Sequence, residues 1–177
     1  ITLNEKWERN VFQNISGSEE HHLSMVRQMA ENNSIVLPSS ITENIRGEFV
    51  DPTLQQLYHE LTTKGGLSLV NALEVGAKIE ELDISDLQAS ISETDNTDLI
   101  QLYSNLISAS KRHLRAFTNN LKQQGIAYEP LILETDYFNQ IVTSPNTKGC
   151  ESGSHGNEVS CGQGKGGANK GCCQSNR

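Results

Sequence analysis

The stretch that decides the fold is residues 68–92, SLVNALEVGAKIEELDISDLQASIS. Its apolar residues recur at intervals of three and four, the spacing of one face of an α-helix packed against a neighbour. Ser68 stands where it can cap the first turn of that helix. One acidic residue interrupts the otherwise aliphatic face, which comprises Val70, Leu73, Ala77, Glu80, Ile84, Leu87 and Ile91. The pattern predicts a long helix to about Ser92 with one carboxylate in its buried stripe.

Two other long segments show the same pattern, and each also carries ionisable residues near mid-stripe. The first runs from Asn10 to about Glu31, and the last from about Asp98 to Lys122 or Gln124, where Gly125 ends it. Their stripes are Phe12, Ile15, Glu19, His22, Val26 and Met29, and Leu99, Leu102, Leu106, Ala109, His113 and Ala116. We therefore expect three packed helices, each with a potential ligand in its buried face.

Shorter helices complete an all-α architecture. Asp51 followed by Pro52 is a typical helix start, and Gly65 with Gly66 ends that helix. Another short helix is expected near residues 134–142. No alternating run of β-branched residues predicts a strand. Aromatic residues make up only 5% of the chain, so the core must be aliphatic.

The composition changes abruptly after residue 142. Ser, Gly, Asn and Lys dominate residues 143–177, which cannot bury enough apolar surface to fold. We predict two regions, a helical bundle over 1–142 and a disordered tail over 143–177. All four cysteines lie in this tail: Cys150, Cys161, Cys172 and Cys173. With His155 they could bind a soft metal, form disulfides or attach the tail to other molecules, and they favour an extracytoplasmic or secreted location.

The charge distribution excludes one class of partner. The tail holds four Lys or Arg and two Asp or Glu, which gives it a charge of +2. Because the whole chain has a net charge of −8, the body carries −10. Nucleic-acid binding through phosphates needs clustered basic residues, and this acidic body has one small basic cluster, Lys111, Arg112 and Arg115, which is expected to pair with acidic neighbours. No stretch approaches the roughly 20 apolar residues of a membrane helix. The chain begins at Ile1 without Met, as expected of a processed protein or a fragment.

The ionisable residues within the stripes require an explanation. Burying an unpaired charge costs several kcal/mol, so such groups are normally paired, neutralised or bound to metal. Glu19 and His22 are three residues apart, and their side chains therefore point the same way from one helix. Asp83 lies beside the seam, either as a surface charge or as a partner of the buried groups. Glu81, one position after the stripe, is expected to be solvated.

Several separated motifs resemble a ferritin-like family of bacterial and archaeal proteins known as a domain of unknown function. They are residues 18–22 (SEEHH), 57–61 (LYHEL), 76–87 (GAKIEELDISDL), 93–96 (ETDN) and 113–117 (HLRAF). The resemblance covers about residues 1–142. It implies a ferritin-like antiparallel helical bundle with a short crossover helix, and a transition-metal site, with iron or manganese as the candidate metals. The implied ligands are Glu19, His22, Glu80 and His113.

The chain departs from that family pattern at two points. Family members begin with a further glutamate-rich helix, of which only the end, around Leu3–Trp7, is present. A full di-iron pattern has Glu three residues before the second histidine, where this chain has Ser110. Asp83, one turn after Glu80, could compensate, and the set suits one metal better than two.

The residues leave a second hypothesis open, and no reaction or enzyme class follows from either. The buried polar groups could form a network that sets helix register without metal. The protein would then be a non-catalytic structural or interaction protein. A neighbouring copy or a partner helix would fill the groove left by the missing first helix, or the Cys-rich tail would link molecules.

Overall fold

The computed structural model describes residues 3–37, 45 and 47–145. This part of the chain contains six α-helices and no β-strand, which confirms the predicted all-α bundle. The helices are α1 (Leu3–Trp7), α2 (Asn10–Asn32), α3 (Pro52–Gly65), α4 (Leu69–Ser92), α5 (Thr97–Gln123) and α6 (Thr135–Thr143). None of them is long and apolar enough to cross a membrane. The predicted tail, including its four cysteines, lies outside the described residues from residue 146 onward.

Local capping explains where the helices begin. The Asp51 carboxylate accepts hydrogen bonds from two amide groups in the first turn of α3, at 2.7 and 3.1 Å. Ser68 caps α4 in the same way at 3.0 Å, and the Asn96 side chain caps α5. Gly125 follows α5 with φ +77°, a left-handed conformation that glycine adopts without steric cost. The side chains of Asp51, Ser68 and Asn96 satisfy amide groups that a helix start otherwise leaves unpaired.

Helices α4 and α5 form the central antiparallel pair. Gly76 faces Phe117 and Glu80 faces His113, so residue numbers rise along one helix as they fall along the other. A Cβ atom on Gly76 would lie 2.4 Å from the Phe117 ring, and the glycine therefore lets the ring pack against the α4 backbone. The core between the helices is aliphatic with a few Phe rings. It includes Leu73, Ala77, Ile84, Ile107, Leu114, Phe117 and Leu121.

Helix α2 packs against α5, also in the antiparallel sense. The rings of Phe12 and Phe117 lie 5.7 Å apart, and Ser18, further along α2, contacts His113, further back along α5. Because α2 and α4 both oppose α5, they run in the same direction. The segment between them, which contains α3, must therefore return along the bundle as a crossover.

The predicted burial of the α2 stripe is only partly correct. Phe12 is buried, but the Glu19 side chain is 46% exposed and Val26 is 38% exposed. By contrast, the α4 and α5 stripes are buried at their centres, including Glu80 and His113. The difference arises because α4 and α5 are covered from several sides, whereas α2 is covered mainly by α5. Periodicity identifies the inward face of a helix but not how completely its neighbours cover it.

The prediction that Glu81 is solvated is wrong. Its side chain is fully buried and accepts a hydrogen bond from the Tyr128 hydroxyl at 2.7 Å. It also accepts hydrogen bonds from the backbone amides of three consecutive residues, Leu131, Ile132 and Leu133, at 2.9–3.1 Å. The segment between α5 and α6 thus folds over α4 and uses this carboxylate as its acceptor. Glu81 therefore attaches the segment that precedes α6 to α4.

Candidate metal site

Three side chains from three helices meet near the middle of the bundle. Glu19 comes from α2, Glu80 from α4 and His113 from α5, and one ligand atom of each lies within 4.8 Å of the others. Among the residues that the structure describes, these three are the His, Cys, Asp or Glu side chains that lie close enough together to hold a metal ion. All three are among the residues predicted from the sequence. Their roles as metal ligands, like those of His22 and Asp83, stay predictions.

His113 stands between the two carboxylates. Its Nδ1 atom lies 3.0 Å from Glu19 Oε1 and 3.4 Å from Glu80 Oε1. These distances suit ion pairs, but Nδ1 has no aligned hydrogen bond, and the buried Glu80 Oε2 has no hydrogen-bond partner. Buried polar atoms without partners are rare and costly. A cation among these atoms would satisfy them together, so the residues present fit a metal ion.

His22 contacts this group from one side without joining it. Its Nδ1 lies 3.0 Å from Glu19 Oε2, and its Nε2 lies 3.3 Å from the hydroxyl of Ser18. The same hydroxyl lies 3.1 Å from Nε2 of His113. The predicted pairing of Glu19 with His22 on one helix face is therefore present. Ser18, which the sequence analysis did not single out, joins the two imidazole rings.

The electrostatics couple the three residues. Burial raises the pKa of Glu80 and the nearby Glu19 charge adds to the effect, against the opposing influence of His113. Burial also disfavours the Glu19 carboxylate, but contacts with His113 and His22 outweigh it and lower the pKa of Glu19. Burial opposes the charged His113 ring, yet the two carboxylates raise the pKa of His113 to about 9. Without metal, a positively charged ring therefore balances the carboxylates near neutral pH.

Asp83 lies one turn beyond Glu80 at the edge of the site. Burial, followed by repulsion from Glu80, Glu19 and Asp86, raises the pKa of Asp83 to about 7. Among the described residues its oxygens do not belong to the three-residue group. Burial is the largest cause, and the repulsion that adds to it shows that the neighbouring carboxylates make the local field negative, which favours a cation.

The donor set indicates the class of metal. Two carboxylates and one imidazole supply oxygen and nitrogen atoms without sulfur, a combination used for iron, manganese and zinc. Three protein ligands leave coordination positions for water or a small ligand. The partly exposed Glu19 marks the side of the site nearest solvent.

One signal in the sequence could have identified Ser18 and another Glu81. Ser18 precedes His22 by four residues, so the two share a helix face. Glu81 belongs to a helix that is apolar on several faces, since Ala72, Leu73 and Val75 are all buried. Such a helix is central, and a charged residue on any of its faces can be buried.

Comparison with known proteins places the chain in a family. A family model described as "Uncharacterized protein domain (DUF2202)" matches residues 1–145. The chain belongs to the DUF2202 family. It is 38% identical over 149 residues to "Uncharacterized protein MJ0754" of Methanocaldococcus jannaschii, covering 84% of this chain and 80% of that protein.

A solved structure supports the DUF2202 fold. The chain resembles the crystal structure titled hypothetical protein MJ0754 from Methanococcus jannaschii, with a TM-score of 0.75 and 38% sequence identity. The similarity covers 82% of each chain. The helical architecture is thus shared with an experimentally determined relative.

Proposed function

We propose that this DUF2202 protein binds one transition metal ion inside its bundle through Glu19, Glu80 and His113. The observation that carries the proposal is the pair of buried polar atoms without hydrogen-bond partners, Glu80 Oε2 and His113 Nδ1. Two carboxylates next to an unaligned imidazole nitrogen have lone pairs available for a cation. Repulsion from Glu80 and Glu19 adds to the effect of burial in raising the pKa of Asp83, and the same negative charges attract a cation.

Iron or manganese is the metal we propose, in a ferritin-like bundle. The single crossover that joins two helices of the same direction is the connection that ferritin-like bundles use. Such bundles build their metal sites from carboxylates and histidines that project inward from facing helices. Glu19, Glu80 and His113 match this arrangement by residue type and by their positions at mid-helix. His22 and Asp83 would support it, one beside Glu19 and the other one turn after Glu80.

The chain's own residues would hold and orient the ion. His113 would release its Nδ1 proton on binding, because only the neutral ring has a lone pair to offer. Glu80 would bind as the carboxylate, which relieves the cost of its burial. A bound iron or manganese ion would supply Lewis-acid or one-electron redox chemistry at this position. Glu19 is 46% exposed and would be the one of the three ligands nearest to solvent.

Elemental analysis of the purified protein tests the proposal. We expect near-stoichiometric iron or manganese in the unaltered chain, and a rise in melting temperature when metal is returned to chelator-treated protein. Glu80→Gln and His113→Gln should abolish both effects. Glu74→Gln is the matched control, because Glu74 lies on the same helix but forms a surface ion pair with Lys64 at 3.2 Å. Absence of bound metal together with no thermal response to any added metal would refute the proposal.

A second candidate function is a non-catalytic scaffold that forms homo-oligomers or binds a partner helix. Val26 on α2 and Ile79 on α4 are both more than one-third exposed, and so are Phe49, Val50 and Leu54 on the crossover. Light scattering over a range of protein concentrations would detect self-association. In a scaffold, replacing Glu80 and His113 together by Leu should preserve or increase stability, since exchanging a buried ion pair for apolar groups is often favourable. In a metal protein, the same double substitution would remove the ion.

A further inference from the structure

Four contacts beside the candidate metal site form a closed ring. Glu19 Oε1 lies 3.0 Å from His113 Nδ1, and Nε2 of that ring lies 3.1 Å from the hydroxyl of Ser18. This hydroxyl lies 3.3 Å from Nε2 of His22, whose Nδ1 lies 3.0 Å from Glu19 Oε2. The two imidazole rings are 5.7 Å apart and inclined by 30°. One serine therefore connects both histidines, and one glutamate connects their other nitrogen atoms.

When a metal ion replaces the proton on Nδ1 of His113, the chemistry of the remaining groups gives the hydrogen bonds of this ring one direction. An ionised Glu19 only accepts hydrogen bonds, so Nδ1 of His22 must carry the proton in that contact. When His22 is neutral, its Nε2 then has a lone pair and accepts the single proton of the Ser18 hydroxyl. The Ser18 oxygen is left to accept a hydrogen bond from Nε2–H of His113. With that proton on Nε2, the neutral His113 ring has its lone pair on Nδ1.

We propose that Ser18 and His22 are positioning residues that select the metal-binding tautomer of His113 and the metal-binding orientation of Glu19. This inference rests on the proposed metal binding and explains its geometry. Only the stated direction satisfies every donor in the ring while leaving Nδ1 of His113 and Oε1 of Glu19 available on the same side. A carboxylate oxygen of Glu80 lies within 4.8 Å of a ligand atom of each of these two residues.

The location of Glu19 shows why such support is needed. Its side chain is 46% exposed on the thinly covered helix α2, so nothing comparable to the packing around Glu80 restricts its rotation. The hydrogen bond from His22 restrains one carboxylate oxygen and thereby directs the other toward the site. Hydrogen-bonding partners of metal ligands typically contribute 10- to 100-fold to metal affinity.

The experiment measures Zn²⁺ affinity and histidine tautomers in the full chain, with Zn²⁺ as a diamagnetic probe. We expect Ser18→Ala to weaken Zn²⁺ binding by about 10- to 100-fold. Ser18→Thr keeps the hydroxyl and should restore affinity to within about threefold of the unaltered protein. Ser24→Ala, on an exposed position of the same helix, serves as the control and should bind normally.

Nitrogen-15 NMR of histidine-labelled protein supplies a readout that a merely structural serine would not alter. In the zinc-loaded protein above neutral pH we expect His113 as the Nε2–H form and His22 as the Nδ1–H form. In Ser18→Ala, the Nε2 nitrogen of His22 should lose the chemical-shift change caused by the hydrogen bond from the Ser18 hydroxyl, while circular dichroism of the protein stays unchanged.

The outcomes separate the two proposals. If the unaltered chain binds neither Zn²⁺ nor any other transition metal, the proposed function fails, and this inference fails with it. If the unaltered chain binds Zn²⁺ but Ser18→Ala binds it equally well, only the positioning role is overturned. An Nε2–H tautomer of His22 in the zinc-loaded, unaltered protein overturns the positioning role as well, even if Ser18→Ala does not fold.

Discussion

Replacing Glu81 by Gln tests the structural role of this carboxylate. The substitution preserves the size of the side chain but leaves one oxygen to accept hydrogen bonds where two did so before. Four donors converge on Glu81: the Tyr128 hydroxyl and the amides of Leu131, Ile132 and Leu133. Because all three amides bond Oε2, the Gln oxygen would take that position, and the new NH₂ group would face the Tyr128 hydroxyl, which would lose its acceptor beside a fully buried side chain. The three amides would then bond a neutral oxygen in place of a carboxylate.

The expected loss follows from the cost of unpaired buried donors. Each one costs about 1–3 kcal/mol, and hydrogen bonds to a charged acceptor are stronger than neutral ones. We therefore expect Glu81→Gln to lower the free energy of unfolding by about 3 kcal/mol, allowing for partial solvent relaxation. For a domain of this size, that corresponds to a fall in melting temperature of roughly 10 °C.

Urea denaturation monitored by circular dichroism measures the change, and hydrogen exchange locates it. The amides of residues 131–133 should lose protection more than those of α2. Glu74→Gln provides the control, since a surface ion pair contributes less than about 1 kcal/mol. A loss in Glu81→Gln no larger than that of this control, with the three amides still protected, would refute the reasoning.

Four further predictions concern pH and packing. Metal affinity should fall about tenfold per pH unit below pH 9, because metal displaces a proton from His113, whose pKa is about 9; calorimetry in a pH series measures this. Without metal, the raised pKa of His113 contributes folding free energy that is fully present below about pH 6.5 and is lost as pH rises through about 9. Urea denaturation over this pH range should show the loss in the unaltered protein and not in His113→Gln. Over roughly pH 4–7, the raised pKa of Asp83 makes stability decline as the carboxyl ionises, and Asp83→Asn should remove that decline. Gly76→Ala should lower the free energy of unfolding by about 1–3 kcal/mol, because the new Cβ would overlap the Phe117 ring. Gly17→Ala, whose Cβ would meet no atom within 4 Å, should leave that free energy unchanged or raise it. Thermal unfolding distinguishes the two variants.

The helices and their approximate ends could be predicted from the sequence, because the signals involved are local. Stripe spacing predicted the three long helices, and Asp51 and Ser68 cap the helices expected of them. Glu80 and His113 were identified as buried because they interrupt otherwise apolar stripes. A charged residue in such a stripe is conspicuous within a single turn of sequence, without any knowledge of the neighbouring helices.

Properties that depend on what covers each helix required the tertiary structure. The carboxylates of Glu80 and Glu81 are adjacent in sequence, yet one faces the ion-pair cluster and the other is enclosed by the segment after α5. The exposure of Glu19 and the bridging position of Ser18 likewise depend on the thin cover of α2. Helical periodicity is an intrinsic property of one segment, so the sequence alone determined which residues share a face. Burial and hydrogen-bond partners depend on distant segments, and only the packed bundle decided them.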